Sequence, residues 1–169
     1  AEKGRADVAK VLIQNGADVN ALTYYKMRAL HFAAQDGHAD VANVLIQNGA
    51  DVNAVNKGKE TALHFAAWKG HADVAKVLIQ SGVDVNALKE GKLTALHFAA
   101  IDGYVDLAKL LIQNGADINA VAKYKYTAIH CAAQNGHVDV AKLLIQNGAD
   151  VNAVQEKTKY TALHDAAQN

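Results

Sequence analysis

One cysteine, Cys131, stands in a sequence of 169 residues. A lone thiol excludes an internal disulfide framework and a cysteine-rich metal cluster, and it fits a reducing, intracellular, cytoplasmic setting. Charge of one sign is also missing. Seventeen lysines and arginines balance 17 aspartates and glutamates, so the totals favour neither nucleic acid nor an anionic membrane. No apolar run approaches the roughly 20 residues that span a bilayer, and Ala1-Glu2-Lys3-Gly4-Arg5 leads into no signal-peptide core. Glycine-rich phosphate loops, dinucleotide fingerprints and nucleophile elbows are absent. The expectation is a chain that is not an enzyme, with no catalytic residue, no cofactor, no metal and no membrane contact.

What is present is repetition. Gly16, Gly49, Gly82, Gly115 and Gly148 recur every 33 residues, each inside a near-copy of Ile-Gln-Asn-Gly-Ala-Asp-Val-Asn-Ala. A second phrase recurs as Arg28-Ala-Leu-His31, Thr61-Ala-Leu-His64, Thr94-Ala-Leu-His97 and Thr127-Ala-Ile-His130. Its fifth copy, Thr161-Ala-Leu-His164, comes 34 residues after the fourth, so one residue is inserted between Asn152 and Thr161. Units of this length that cannot bury an apolar face alone build a continuous core by stacking.

One unit, residues 56–88, shows the elements. Thr61 is a good N-cap, and Leu63, Ala66 and Ala67 give one apolar face at helical spacing. Gly70 suits a left-handed helix end. Asp73 sits in the first turn of a second helix, in which Val74, Val77 and Leu78 form the buried stripe while Lys76 and Gln80 face outward. After Gly82 the chain runs out and back as a finger. The whole is a single domain, 1–169, with full repeats at 23–55, 56–88, 89–121 and 122–154. Partial repeats 1–22 and 155–169 flank them. Ala1 to Gly4 read as the end of a first helix, with Gly4 aligned to Gly37, and Asn169 falls at the equivalent place in the last unit.

Helix, turn, helix and finger at this period, opened by Thr-x-Leu-His, resemble the ankyrin repeat over the entire chain. The residues that carry the likeness are Thr61, Leu63, His64, Ala66, Ala67, Gly70, His71, Gly82, Asp84, Val85, Asn86 and Ala87, with their equivalents. The resemblance implies an all-α solenoid, a right-handed α-α superhelix with projecting β-hairpin fingers. It also implies protein–protein recognition through the concave face and finger tips. Three departures stand out. Ala29, Ala62, Ala95, Ala128 and Ala162 replace the family's proline after the capping residue, a mild loss since alanine is a good helix former. Arg28 replaces one capping threonine, at about 1 kcal/mol. Lys26, Lys59, Lys92, Lys125 and Lys159 occupy a turn position where the family commonly has glycine. A left-handed non-glycine residue costs roughly 1–2 kcal/mol there, unless Gly58 and Gly91, one residue earlier, take over that role. Such stacks usually carry polar end units, and their absence suggests either a longer array or a monomer that associates weakly end to end.

Eight histidines invite a metal or catalytic reading, but they follow the repeat and not ligand spacing. His31, His64, His97, His130 and His164 belong to the helix-opening phrase, where the resemblance implies structural hydrogen bonds. His38, His71 and His137 follow helix-ending glycines, and Tyr104 replaces the fourth. Cys131 takes the place held by Phe32, Phe65 and Phe98, a core position. By resemblance to known hydroxylation targets, Asn20, Asn53, Asn86, Asn119 and Asn152 are candidate modification sites.

Positions that vary between units are free to read a partner. They comprise Tyr24, Tyr25, Met27, Gln35, Asp36, Lys57, Glu60, Trp68 and Lys69 in one half. In the other they comprise Leu93, Ile101, Asp102, Lys123, Tyr124, Tyr126, Gln134 and Asn135. Exposed aromatics are the residues expected of interface anchors; the competing reading is that they stiffen neighbouring fingers. The finger stretches hold ten Lys or Arg and three Glu, a net of +7. Lysines on a solvated edge often serve only solubility. A row of Lys and Tyr also suits an acidic ligand, with nucleic acid a less favoured partner, and a plain spacer within an array is the remaining alternative.

Overall fold

A computed structural model describes residues 2–168 of the chain. Among them lie ten α-helices and no strand. The chain divides into two compact units, 1–84 and 85–169. The first holds α1 (Glu2–Gln14), α2 (Ala29–Gln35), α3 (Ala39–Gln47), α4 (Ala62–Lys69) and α5 (Ala72–Gln80). The second holds α6 (Ala95–Ile101), α7 (Val105–Gln113), α8 (Ala128–Gln134), α9 (Val138–Gln146) and α10 (Ala162–Gln168).

Each unit has two layers. In the first, α2 packs on α4, while α3 is flanked by α1 and α5; in the second, α8 lies between α6 and α10, and α7 packs on α9. The short first helices α4, α6 and α8 are largely buried, their small alanines allowing close approach of their neighbours. Leu63, Ala66 and Ala67 are sealed off from solvent, as are Leu96, Ala99 and Ala100. In the second helices Val74, Ala75 and Leu78 are buried. Val77, expected in that stripe, is only half-buried, because the small Ala75 brings the adjacent edge of the helix closest to its neighbours. Lys76 and Gln80 face solvent as expected. The anticipated break at Gly4 is absent, since α1 runs unbroken from Glu2; one glycine costs a helix interior only about 1 kcal/mol. The position assigned to Asn169 lies outside the described residues.

The helix-opening phrase works as a reciprocal cap in which histidine takes the place usually held by Glu or Gln. The backbone N–H groups of Thr61, Thr94 and Thr127 donate to Nδ1 of His64, His97 and His130 at 3.1, 3.2 and 3.3 Å. The threonine hydroxyls lie within 2.9 Å of the same nitrogens. At α2 the backbone bond survives, from Arg28 N–H to His31 Nδ1 at 3.0 Å. No side-chain cap accompanies it, and Arg28 Nε is buried without a partner.

The fingers are tighter than the expected β-hairpins. Thr23 N–H donates to the Met27 carbonyl, Asn56 to Glu60, Lys89 to Leu93 and Ala122 to Tyr126, all within 3.1 Å. One such bond closes a loop but makes no ladder. The turn inside each loop ends on a left-handed residue: Lys26, Lys59, Lys92, Lys125 and Lys159 all have φ between 58° and 62°. The lysines therefore keep the role usual for glycine. Gly58 does not take it over, and Gly91 (φ 83°) is left-handed in addition to Lys92, not instead of it. Tyr124 (φ 62°) precedes Lys125 in the same way. The inserted residue widens the last finger, where Gln155 N–H reaches Tyr160 at 2.9 Å.

Candidate binding surface

The fingers are tied to one another at their tips through the backbone. In the first unit Lys57 N–H donates to the Tyr25 carbonyl at 3.0 Å. In the second, Lys123 N–H donates to the Gly91 carbonyl and Glu156 N–H to the Tyr124 carbonyl, both at 2.8 Å. The histidines tie fingers to helices. With Nδ1 accepting at the cap, Nε2 carries the proton and faces a carbonyl of the next finger. His31 reaches Glu60 at 3.2 Å, His97 reaches Tyr126 at 3.3 Å and His130 reaches Tyr160 at 3.4 Å. Burial lowers the pKa of His31 and His97 below the ordinary 6.5, which suits this neutral form.

Two histidines that follow helix-ending glycines are occupied in the same way. His71 Nε2 donates to the Gln35 carbonyl and His137 Nε2 to the Ile101 carbonyl. Their rings lie so close to Gly37 and Gly103 that a Cβ there would sit within 2.7 Å of them, and both glycines are left-handed. Among the described residues no group of His, Cys, Asp or Glu is arranged to hold a metal. Cys131 is buried, and burial pushes its thiol up to about 12, far from a nucleophilic thiolate.

The finger asparagines are staples. Asn20, Asn86 and Asn119 each donate from Nδ2 to a glycine carbonyl of the next repeat and accept from an aspartate N–H there.

Against this framework some of the variable residues come together: Tyr24, Tyr25 and Lys57 in the first unit, with Trp68 and Lys69 as a separate pair, and a second group around a cavity in the other unit. In the first, Tyr24 and Tyr25 are 80% and 64% exposed and meet edge to face at 5.2 Å. Lys57 Nζ sits 3.8 Å from the centre of the Tyr24 ring. The adjoining cavity has a mixed wall that includes Arg28, Asp51 and Asn56. Glu60 is drawn into the finger, where it accepts from Asn56 Nδ2 at 2.8 Å. Trp68 is 48% exposed, with Lys69 Nζ 4.0 Å from its ring.

In the second unit, Leu93, Lys123, Tyr124 and Tyr126 come together around a cavity of 420 Å³. The Tyr126 hydroxyl donates to Gln134 Oε1 at the end of α8, and the ring stacks on His130 at 5.3 Å. Burial holds its phenol well above the usual range. Tyr124 is 41% exposed, with Lys157 Nζ 4.0 Å and Lys123 Nζ 4.9 Å from its ring. The two ammonium groups, hydrogen-bonding its hydroxyl, lower the Tyr124 phenol below 10.

Met27, Gln35, Asp36, Ile101, Asp102 and Asn135 join neither cluster. Asn135 spends its amide on the Cys131 carbonyl. Sequence reasoning missed Lys157, Ala122 and Thr158, which line the second cavity. A signal for Lys157 was available, since it follows Tyr124 at the repeat distance of 33 residues. It also missed the Gln155–Asp165 pair. Gln155 Nε2 bridges both carboxylate oxygens at 2.9 and 3.1 Å, and Asp165 is buried at the repeat position of Phe32, Phe65 and Phe98, where Phe65 is buried but Phe32, expected in the core, is exposed.

No described helix is long and apolar enough to cross a membrane. Comparison with curated proteins returns no match. The family model for ankyrin repeats matches three times, over residues 1–89, 48–122 and 96–169, and so covers the chain from end to end. Ankyrin repeats are in general non-enzymatic protein–protein interaction modules. With the repeat period, the paired helices and the histidine-capped helix starts all in place, this chain belongs to the ankyrin-repeat family.

Proposed function

We propose that this chain binds a protein partner through its finger tips and the adjoining ends of its first helices. The observation that carries the reading is the contrast within each repeat. Histidines, asparagines and helix-ending glycines are consumed by internal bonds. Tyr24, Tyr25, Trp68 and Tyr124 stay exposed, each with a lysine ammonium close to its ring. Aromatic surface with a polar, cationic rim is the composition of an interface core. The chain acts as a monomeric or weakly self-associating recognition module and performs no catalysis.

The test is capture of cellular proteins by the wild type and by the triple variant Tyr25→Ala, Trp68→Ala, Tyr124→Ala, with folding verified by circular dichroism. A partner retained by the wild type and lost by the folded variant is the expected result. Equal capture by both refutes the assignment. Nucleic-acid binding through the same fingers predicts instead an affinity for oligonucleotides that falls steeply with salt.

A further inference from the structure

We infer that the cavity beside Tyr124 is a docking site for an acidic peptide that inserts one leucine-sized or aromatic side chain between carboxylates. The inference rests on the proposed partner-binding role and narrows it to one unit and one ligand chemistry. Three observations lead to it.

The cavity is the right kind of space. At 420 Å³ it falls among small-ligand pockets, which run from about 300 to 1,000 Å³. Leu93, Ala122 and the rings of Tyr124 and Tyr126 give it an almost wholly apolar wall, so an apolar side chain is what gains by entering.

The charge around it selects the flanking groups. The fingers of this unit carry Lys89, Lys92, Lys123, Lys125, Lys157 and Lys159 against Glu90 and Glu156, six positive charges and two negative, a net of +4. Lys123 and Lys157 both line the cavity, their ammonium groups 4.9 and 4.0 Å from the centre of the Tyr124 ring. A peptide with carboxylates before and after its apolar residue meets both ammonium groups at once. A phosphate backbone fits less well, because Glu90 and Glu156 interrupt the positive row and the apolar wall offers a phosphate nothing.

The platform is held in place at a conformational cost. Tyr124 is left-handed (φ 62°, ψ 26°), directly before the left-handed Lys125. Its carbonyl is pinned by Glu156 N–H at 2.8 Å. Residues kept in such sparsely populated regions are held by their surroundings and concentrate at ligand sites.

The probe is a fluorescein-labelled peptide, Glu-Glu-Leu-Phe-Glu-Glu, titrated with the full chain by fluorescence anisotropy at low salt. Saturable binding is expected. Affinity should fall about tenfold, the effect of losing one anchoring side chain, in each of three cases. These are replacement of Leu-Phe by Ala-Ala in the peptide, Tyr124→Gly in the protein, and the pair Lys123→Gln with Lys157→Gln. Glycine suits the left-handed position, so Tyr124→Gly removes the ring with the finger preserved, and its thermal midpoint should equal or exceed the wild type's. Lys10→Gln with Lys76→Gln, two exposed lysines on helices of the other unit, should leave affinity unchanged. Absence of saturable binding, equal binding of the Ala-Ala peptide, insensitivity to the Tyr124 or Lys123/Lys157 changes, or displacement of the probe by lower concentrations of oligothymidylate overturns the inference. Probe binding as expected, alongside equal cellular capture by the triple variant, leaves the pocket standing and removes only the wider reading of the finger face.

Discussion

The two units run the same framework and present different chemistry. Both cap their first helices through a histidine Nδ1, both tie that histidine to the following finger, and both link fingers tip to tip through one backbone bond. At the tips they part. The first unit shows an open pair, Tyr24 and Tyr25, beside a cavity lined by Arg28, Asp51 and Asn56. The second closes Tyr124 and Tyr126 over an apolar cavity flanked by Lys123 and Lys157. The change needs only a few finger residues. Interiors are packed too tightly to absorb variation, whereas a finger closed by one bond leaves its side chains free to differ.

If the framework is shared, equivalent core residues should be equally costly to remove. Leu63 in α4 and Leu96 in α6 are both buried at the same repeat position. Leu63→Ala and Leu96→Ala should each destabilise the chain by about 2–5 kcal/mol, through lost transfer energy and the cavity left behind, measured by urea unfolding. Costs that differ several-fold would break the equivalence.

A smaller effect tests the histidine ties in both units together. His31 and His97 have pKa values lowered by burial below 6.5. The unfolded chain therefore binds more protons at these sites than the folded one, and stability rises with pH through that window. Lowering the pH from about 7.5 to below 6.5 should reduce the thermal midpoint, with the loss setting in near the unfolded value. Asp165 works in the opposite sense: its pKa is raised by burial from 3.8, so its ionisation opposes folding as the pH rises above that value. Replacing His97 with Gln should flatten part of the slope above pH 5. A midpoint indifferent to pH between 5.5 and 7.5 contradicts the buried neutral histidines.

Most of this architecture is legible in the sequence because the repeat states each rule several times. Thr-x-Leu-His, the helix-ending glycines and the alanine-rich faces recur at one spacing, so the helices and their caps follow from local chemistry, and the structural role of the histidines from the resemblance to the ankyrin repeat. The proposed binding clusters were legible only as a set of variable positions. Nothing in the spacing distinguishes Glu60, which is consumed by Asn56 within its own finger, from Lys157, whose ammonium reaches Tyr124 of the neighbouring finger. That distinction depends on which finger residues fold back on their own loop. The left-handed lysines were anticipated by position, but not the second left-handed residue at Tyr124, since its conformation is fixed by the Glu156 bond from the neighbouring finger.

The least perturbing change exchanges a cap between the units. Arg28 opens α2 where Thr94 and Thr127 open α6 and α8, and it leaves Nε buried with no partner. Arg28→Thr restores the hydroxyl and removes the unsatisfied donor, so it should stabilise the chain by about 1 kcal/mol. The reverse change, Thr94→Arg, should cost a similar amount. Both are read as shifts in the urea midpoint at constant slope. Because Arg28 also lines the polar cavity of the first unit, the same variant separates framework from function. A gain in stability with lost partner capture means that the arginine is retained for recognition at the expense of the cap. A gain with capture unchanged assigns recognition to the tyrosines and lysines alone. No gain at all means that His31, still bonded to the residue 28 amide, caps this helix without help.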